Sequence, residues 1–165
     1  MAWGTTSSGA ALALFGGAAY YWRAKRRAAP LPVCAVAVPA TLPAGFDRRQ
    51  VLDAARRHFV QVQQAWDAGD VGALRALTLP DLLDELCGQL PPQGVEPGGT
   101  AVLSLHAELL GFDDLGPAYL ASVEFSGMMR EASHSGPVPF RELWMLAQVK
   151  DDPPAWRLAR HQALL

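Results

Sequence analysis

His106, Glu108 and Glu124 are the residues whose types and spacing come nearest to acid–base chemistry. His106 and Glu108 stand two apart in an alternating stretch, so on a strand they point the same way, and Glu124 in the next such stretch can join them. A general base has to reach its substrate inside a water-poor pocket. The same alternation puts these three on a face with Ser104 and Ser126. That face reads as a solvated sheet surface with ordinary cross-strand pairs. The other histidines are scattered: His58 on a helix among arginines, His134 in a turn and His161 near the C-terminus, none with a partner at H-x-x-x-H spacing. Cys34 and Cys87 are too few for a metal site or a disulfide framework and read as buried or idle thiols. No Gly-rich phosphate loop and no nucleophile elbow occurs. The sequence therefore points to no enzymatic activity, no cofactor and no metal.

The elements that must position these residues begin at Phe46. Val51, Ala55, Phe59, Val62 and Trp66 recur at steps of three and four, which predicts a long amphipathic helix. Asp47 is its N-cap, with Gln50 three residues on, and Gly69 ends it. Asp70 caps a short second helix running through Leu77. Thr78, Pro80 and Asp81 open a third that stops near Gly88. Pro91–Gly99 is a loop by composition.

Four strands follow. In 101–110, Leu103, Leu105, Ala107 and Leu109 alternate with Ser104, His106 and Glu108, and Gly111–Pro117 then turns the chain. In 119–129, Tyr119, Ala121, Val123 and Phe125 oppose Ser122, Glu124 and Ser126. Residues 140–149 are nearly apolar on both faces, as a central strand is, and 156–162 close the sheet. Short turns between strands mean an antiparallel meander. Helices followed by a meander predict an α+β domain, with the helices packed on a four-stranded antiparallel sheet.

The segment before Phe46 differs in kind. From Trp3 to Trp22 there are 20 residues without a charge, followed by Arg23, Lys25, Arg26 and Arg27. Twenty helical residues span roughly 30 Å, the thickness of the hydrocarbon layer. Tyr20, Tyr21 and Trp22, with Trp3 at the other end, suit the two interfaces. Residues 1–27 thus read as a single transmembrane anchor with a basic flank. The basic residues follow the apolar run, the reverse of a cleaved signal peptide. The positive-inside rule puts Arg23, Lys25, Arg26 and Arg27, and everything after them, in the cytoplasm of a cell whose inner membrane holds the span. Those four side chains are the expected contacts with the membrane surface. Thr5, Gly9, Ala13 and Gly17 repeat every fourth residue, a spacing through which two such helices can self-associate. Residues 28–45, with Pro30, Pro32, Pro39 and Pro43, read as a semi-extended linker, leaving 46–165 as the globular domain.

Charge narrows the partners. Residues 1–45 hold four basic side chains and no acidic one, whereas the other 120 hold ten basic and sixteen acidic, a balance of −6. An acidic domain excludes nucleic acid as its main partner.

Three stretches together resemble a known family. They are FDRRQVLDAARRHFVQVQQAWDAGDVGALRAL with the following LPDLLDEL, the strand FRELWMLAQV, and the closing AWRLARHQAL. They are similar to the domain of the 44 kDa subunit of the mitochondrial inner-membrane translocase and its bacterial relatives, within the wider nuclear-transport-factor-2-like superfamily. The resemblance covers about residues 45–164. It implies a cone of curved antiparallel sheet wrapped by helices around an apolar pocket, here lined by Phe59, Trp66, Trp144 and Leu146. It also implies a membrane-associated adaptor that binds a membrane-protein partner or lipid. The mitochondrial protein's long N-terminal region, which contacts the import motor, is not matched here, and a membrane span is expected in its place. The superfamily also contains isomerases and dehydratases, so a small-molecule pocket is the alternative reading.

Overall fold

The computed structural model describes residues 41–90, 99–131, 136–150 and 153–164. The expected membrane segment, its basic flank, most of the linker, Cys34 and His134 lie outside them. Among the described residues no helix is long and apolar enough to cross a membrane.

Helix α1 spans Arg48–Asp67, α2 Val71–Leu77 and α3 Pro80–Cys87. The α1 stripe read from periodicity is the buried one: Val51, Ala55, Phe59, Val62 and Trp66 all face the core. Asp47 caps α1, its carboxylate accepting the Gln50 amide at 3.2 Å, and Asp70 caps α2 through Ala73 at 2.9 Å. Between them Gly69 takes φ +62°, a left-handed turn that favours glycine after a helix. The third cap differs from expectation. Leu79 holds the N-cap position of α3 with no side-chain bond, and Pro80 supplies the start. The Thr78 hydroxyl instead donates back to the Leu74 carbonyl at 2.7 Å.

The sheet is a four-stranded antiparallel meander in the order β1 (Thr100–Asp114), β2 (Ala118–Glu131), β3 (Val138–Val149) and β4 (Trp156–Ala163). Each strand is longer than its alternation suggested. The first turn shrinks to Leu115–Pro117, because β1 runs on to Asp114. Two irregularities in β1 explain this. The register shifts between Val102 and Ser104 and again between Leu109 and Gly111. Each extra residue reverses the phase, so Val102 and Phe112 join the inward set. Leu103, expected on the apolar face, is instead the bulged residue and is 47% exposed. Just past it Gly127, across from Leu105, lets the strands close. A Cβ there would overlap the Ser104 carbonyl oxygen, so only glycine fits without a shift.

The helices cover one face of this sheet. Phe59 is the centre: its ring lies 4.8 Å from Phe125, 4.8 Å from Trp144 and stacked 5.5 Å from Phe140. The Asp67 carboxylate ties the end of α1 to the start of β1, accepting the Thr100 amide at 2.7 Å and its hydroxyl at 3.1 Å. The α2–α3 joint lies along β4, where Thr78 forms a parallel bridge to Leu158 and the Leu79 amide donates to the Leu158 carbonyl at 2.9 Å. This covers part of an edge that would otherwise be open to another strand. At the opposite end of the sheet, Phe46 packs among Phe112, Tyr119 and Trp156 at 5.0, 4.7 and 6.2 Å.

Candidate functional site

Period two along β2 and β3 sorts the titratable residues onto two faces. Outward, Glu108 lies directly across from Glu124, and His106 across from Ser126. Two carboxylates side by side repel, and a cation relieves them. Arg141, across from Ser126 on β3, supplies it: its Nε and Nη2 donate to the two Glu124 oxygens at 2.8 and 3.0 Å. This two-point fork is the geometry guanidinium and carboxylate prefer. Glu124 raises the Arg141 pKa, first through that hydrogen bond and then through its charge, with a weaker pull from Glu108. His106 and Glu108 are exposed to water and Glu124 is half-buried. The structure thus brings together the three residues singled out for acid–base chemistry, and it puts them on the face away from the helices.

Inward lie two residues that pattern reading did not single out as a pair. Glu142 is 1% exposed and accepts the Trp144 indole N–H at 2.8 Å. His161, 2% exposed, lies across from Trp144 on β4, with its ring centroid 6.3 Å from the indole. A signal for Glu142 was present: it keeps step with Phe140, Trp144 and Leu146 in FRELWML. His161 had none. It comes inward beside Leu158 only because the register shifts between Met145 and Leu146, an irregularity that leaves Ala159 unmatched. The four residues expected to line a pocket, Phe59, Trp66, Trp144 and Leu146, all belong to the main core cluster.

His58 is also buried. Its Nε2 lies 2.8 Å from the Leu77 carbonyl, a contact in which a ring N–H donates to the last residue of α2. Burial pushes its pKa below the ordinary value, and the bond to Leu77 offsets this in part. At the turn end of the sheet, the Lys150 ammonium sits 2.7 Å from Asp114 and 4.3 Å from the Tyr119 ring centre. The bond from Lys150 holds the Asp114 carboxyl below its usual range. Cys87 is a free thiol and is exposed, not buried. Among the described residues no three His, Cys, Asp or Glu side chains are grouped so as to hold a metal ion.

Three helices on one face of a four-stranded antiparallel meander, with charged pairs on the other, define an α+β domain of the helix-covered-sheet class. The Tim44-like domain model matches residues 35–163, and the chain belongs to that family. The match begins within the Pro-rich stretch before Phe46. No curated protein matches the chain. Among solved structures it is similar to a ketosteroid isomerase-like protein from Erwinia carotovora atroseptica SCRI1043, at 13% identity and a TM-score of 0.41, over 73% of this chain and 99% of that chain.

Proposed function

We propose that this chain is a non-enzymatic, single-pass membrane adaptor. Residues 3–22 anchor it in the cell inner membrane, Arg23, Lys25, Arg26 and Arg27 meet anionic headgroups, and 28–45 set the domain off the bilayer on the cytoplasmic side. The domain binds a membrane-protein partner or lipid, in a role tied to protein translocation or membrane-protein assembly. One observation supports the reading: a Tim44-like domain, matched from residue 35, comes after an uncharged 20-residue run and its basic cluster. Cross-linking the full-length protein in its native membrane, followed by mass spectrometry, tests it. Reproducible links from residues 46–165 to one membrane or secretion protein are expected. Links to nothing above background overturn the protein-partner form. Replacing the four basic residues by Gln is expected to weaken lipid association or invert the topology, and unchanged behaviour in both removes the lipid form.

The alternative, a pocket protein of small-molecule or catalytic function, draws its support from Glu142 and His161, two ionisable side chains on the inward face. Native mass spectrometry of the purified protein tests it. A co-purifying apolar molecule lost on Trp144→Ala favours it, and a bare protein mass counts against it.

A further inference from the structure

The two edges of the sheet differ. Along β4 the α2–α3 joint closes part of the edge through Thr78 and Leu79. β1 is the other edge, and among the described residues no backbone hydrogen bond reaches it from the side away from β2. Its register shifts, at Val102/Ser104 and Leu109/Gly111, leave 104–109 regular between them. In such a stretch every second residue turns both its N–H and its C=O away from the neighbouring strand. That is a template for one more strand.

Helix α1 forms a wall beside this edge. It runs antiparallel to β1, with Phe46 just before it against Phe112 at one end and Asp67 bonded to Thr100 at the other. Asp67 marks the flank that faces β1. At about 100° per residue Gln63, Val60, Arg56 and Arg49 lie on that same side, and His58, which reaches α2, lies opposite. Apolar surface is incompletely covered here: Val60 is half-buried, and so are Val102 and Leu105 on the inward side of β1. Gln63 is 6% exposed, yet its amide bonds no other described residue. Arg49 and Arg56 share one carboxylate, Asp53, at 4.0 and 2.9 Å, so the wall keeps a positive charge. On the outward side of the same edge Glu108 is exposed and, among the described residues, in no ion pair.

We propose that the β1 edge and this flank of α1 take up an extended segment of a partner protein as a fifth strand. Alternation fixes the chemistry of that segment. Side chains turned toward α1 meet Val60, Arg49 and Arg56, so that set mixes apolar and acidic residues. The other set stands beside His106 and Glu108 and carries basic or small polar residues. Gln63 supplies an amide for the added backbone. The inference deepens the protein-partner form of the adaptor reading and rests on it for the natural occupant.

The probe is the acetylated, amidated peptide Thr-Val-Lys-Glu-Thr-Val-Lys-Glu, which sets Val and Glu on one side and Thr and Lys on the other. It is added to the full-length protein in phosphatidylcholine nanodiscs, and binding and amide hydrogen exchange are read together. Saturating peptide should slow the fast-exchanging amides of 104–109 about tenfold and leave β4 unchanged. The same peptide with Pro at its two central positions should do neither, because it cannot complete the ladder. Arg49→Glu with Arg56→Glu should weaken binding about tenfold, and a peptide with Lys in place of each Glu should regain it. No binding, equal binding of the Pro peptide, protection confined to other strands, or indifference to both charge changes would overturn the proposal. So would amides of 104–109 that are all slow before peptide is added, as when a second copy or the chain's own residues before Leu42 hold the edge. Those outcomes leave the membrane anchor untouched, whereas failed cross-linking in the native membrane with the peptide still bound to β1 would count against the adaptor reading alone.

Discussion

Glu124 and Glu142 are a single register step apart on neighbouring strands, since Glu124 lies across from Leu143 and Glu142 across from Phe125. They fall on opposite sides of the sheet. Glu124 is gripped by an exposed guanidinium, whereas Glu142 is enclosed with an indole N–H against its carboxylate. The same residue type serves as a surface cross-strand pair in one case and as a polar group inside an aromatic core in the other. The contrast shows that a carboxylate's chemical prospects here follow from strand parity rather than from which ionisable neighbours are near in sequence. The outward face can change its charges with little loss of fold. The inward face cannot change its shape.

Substitutions can break or sharpen that contrast. Trp144→Ala should have the largest effect: it empties the space beside Phe59 and Phe125 and takes from Glu142 its indole donor. A loss of about 3–5 kcal/mol in urea unfolding is expected, and a loss under about 1 kcal/mol would mean the inward face is not the rigid one. Gly127→Ala comes next. The added methyl has to displace the Ser104 backbone at the bulge, at a cost of about 1–3 kcal/mol, and an unchanged midpoint would show that the bulge relaxes freely.

His58 gives a smaller effect that depends on pH. Its folded pKa lies below the ordinary 6.5, so between the two values the unfolded chain binds more protons than the folded one. Its contribution is complete above about pH 6.5 and is lost as pH falls through the folded value. His58→Gln should flatten that part of the stability–pH curve relative to the unaltered protein, and parallel curves would place the titrating group elsewhere. Smallest of all should be Glu124→Gln, which loosens the Arg141 fork at the surface and should move the unfolding midpoint least of the four. A shift as large as that of Gly127→Ala would show that the outward face also carries the fold.

Much of this architecture can be read from the chain because it rests on local rules. The α1 stripe from Val51 to Trp66 follows from a 3.6-residue period, the caps at Asp47 and Asp70 from side chains that bond the next free amides, and the strand order from the short turns. Where reading failed, a single extra residue was the cause. Leu103 belongs to the apolar alternation by type yet stands exposed, and His161 is polar by type yet stands inside. In both cases a bulge reverses the phase, and nothing local in the sequence marks it. Thr78 was misread for a different reason. Its hydroxyl found a carbonyl in the preceding helix, which left Leu79 and Pro80 to begin the next one. Of the candidate site, the outward trio was legible through alternation. The Arg141 fork needed the β2–β3 register, which fixes which residues face each other across strands.

The packing of Phe46 among Phe112, Tyr119 and Trp156 has a consequence for reach. These rings fix the point where the chain enters the domain to the turn end of the sheet. Tyr119 and Arg130 are both on β2, so counting about 3.3 Å for each residue between them the far end, near Thr100 and Arg130, lies roughly 36 Å from that point. Were residues 3–22 to hold the chain in a membrane as proposed, the domain would therefore be held by one corner of its sheet. On that reading a partner close to the point of attachment would meet the Asp114–Lys150 turn, and one standing well away from it would meet Leu103 and Met128.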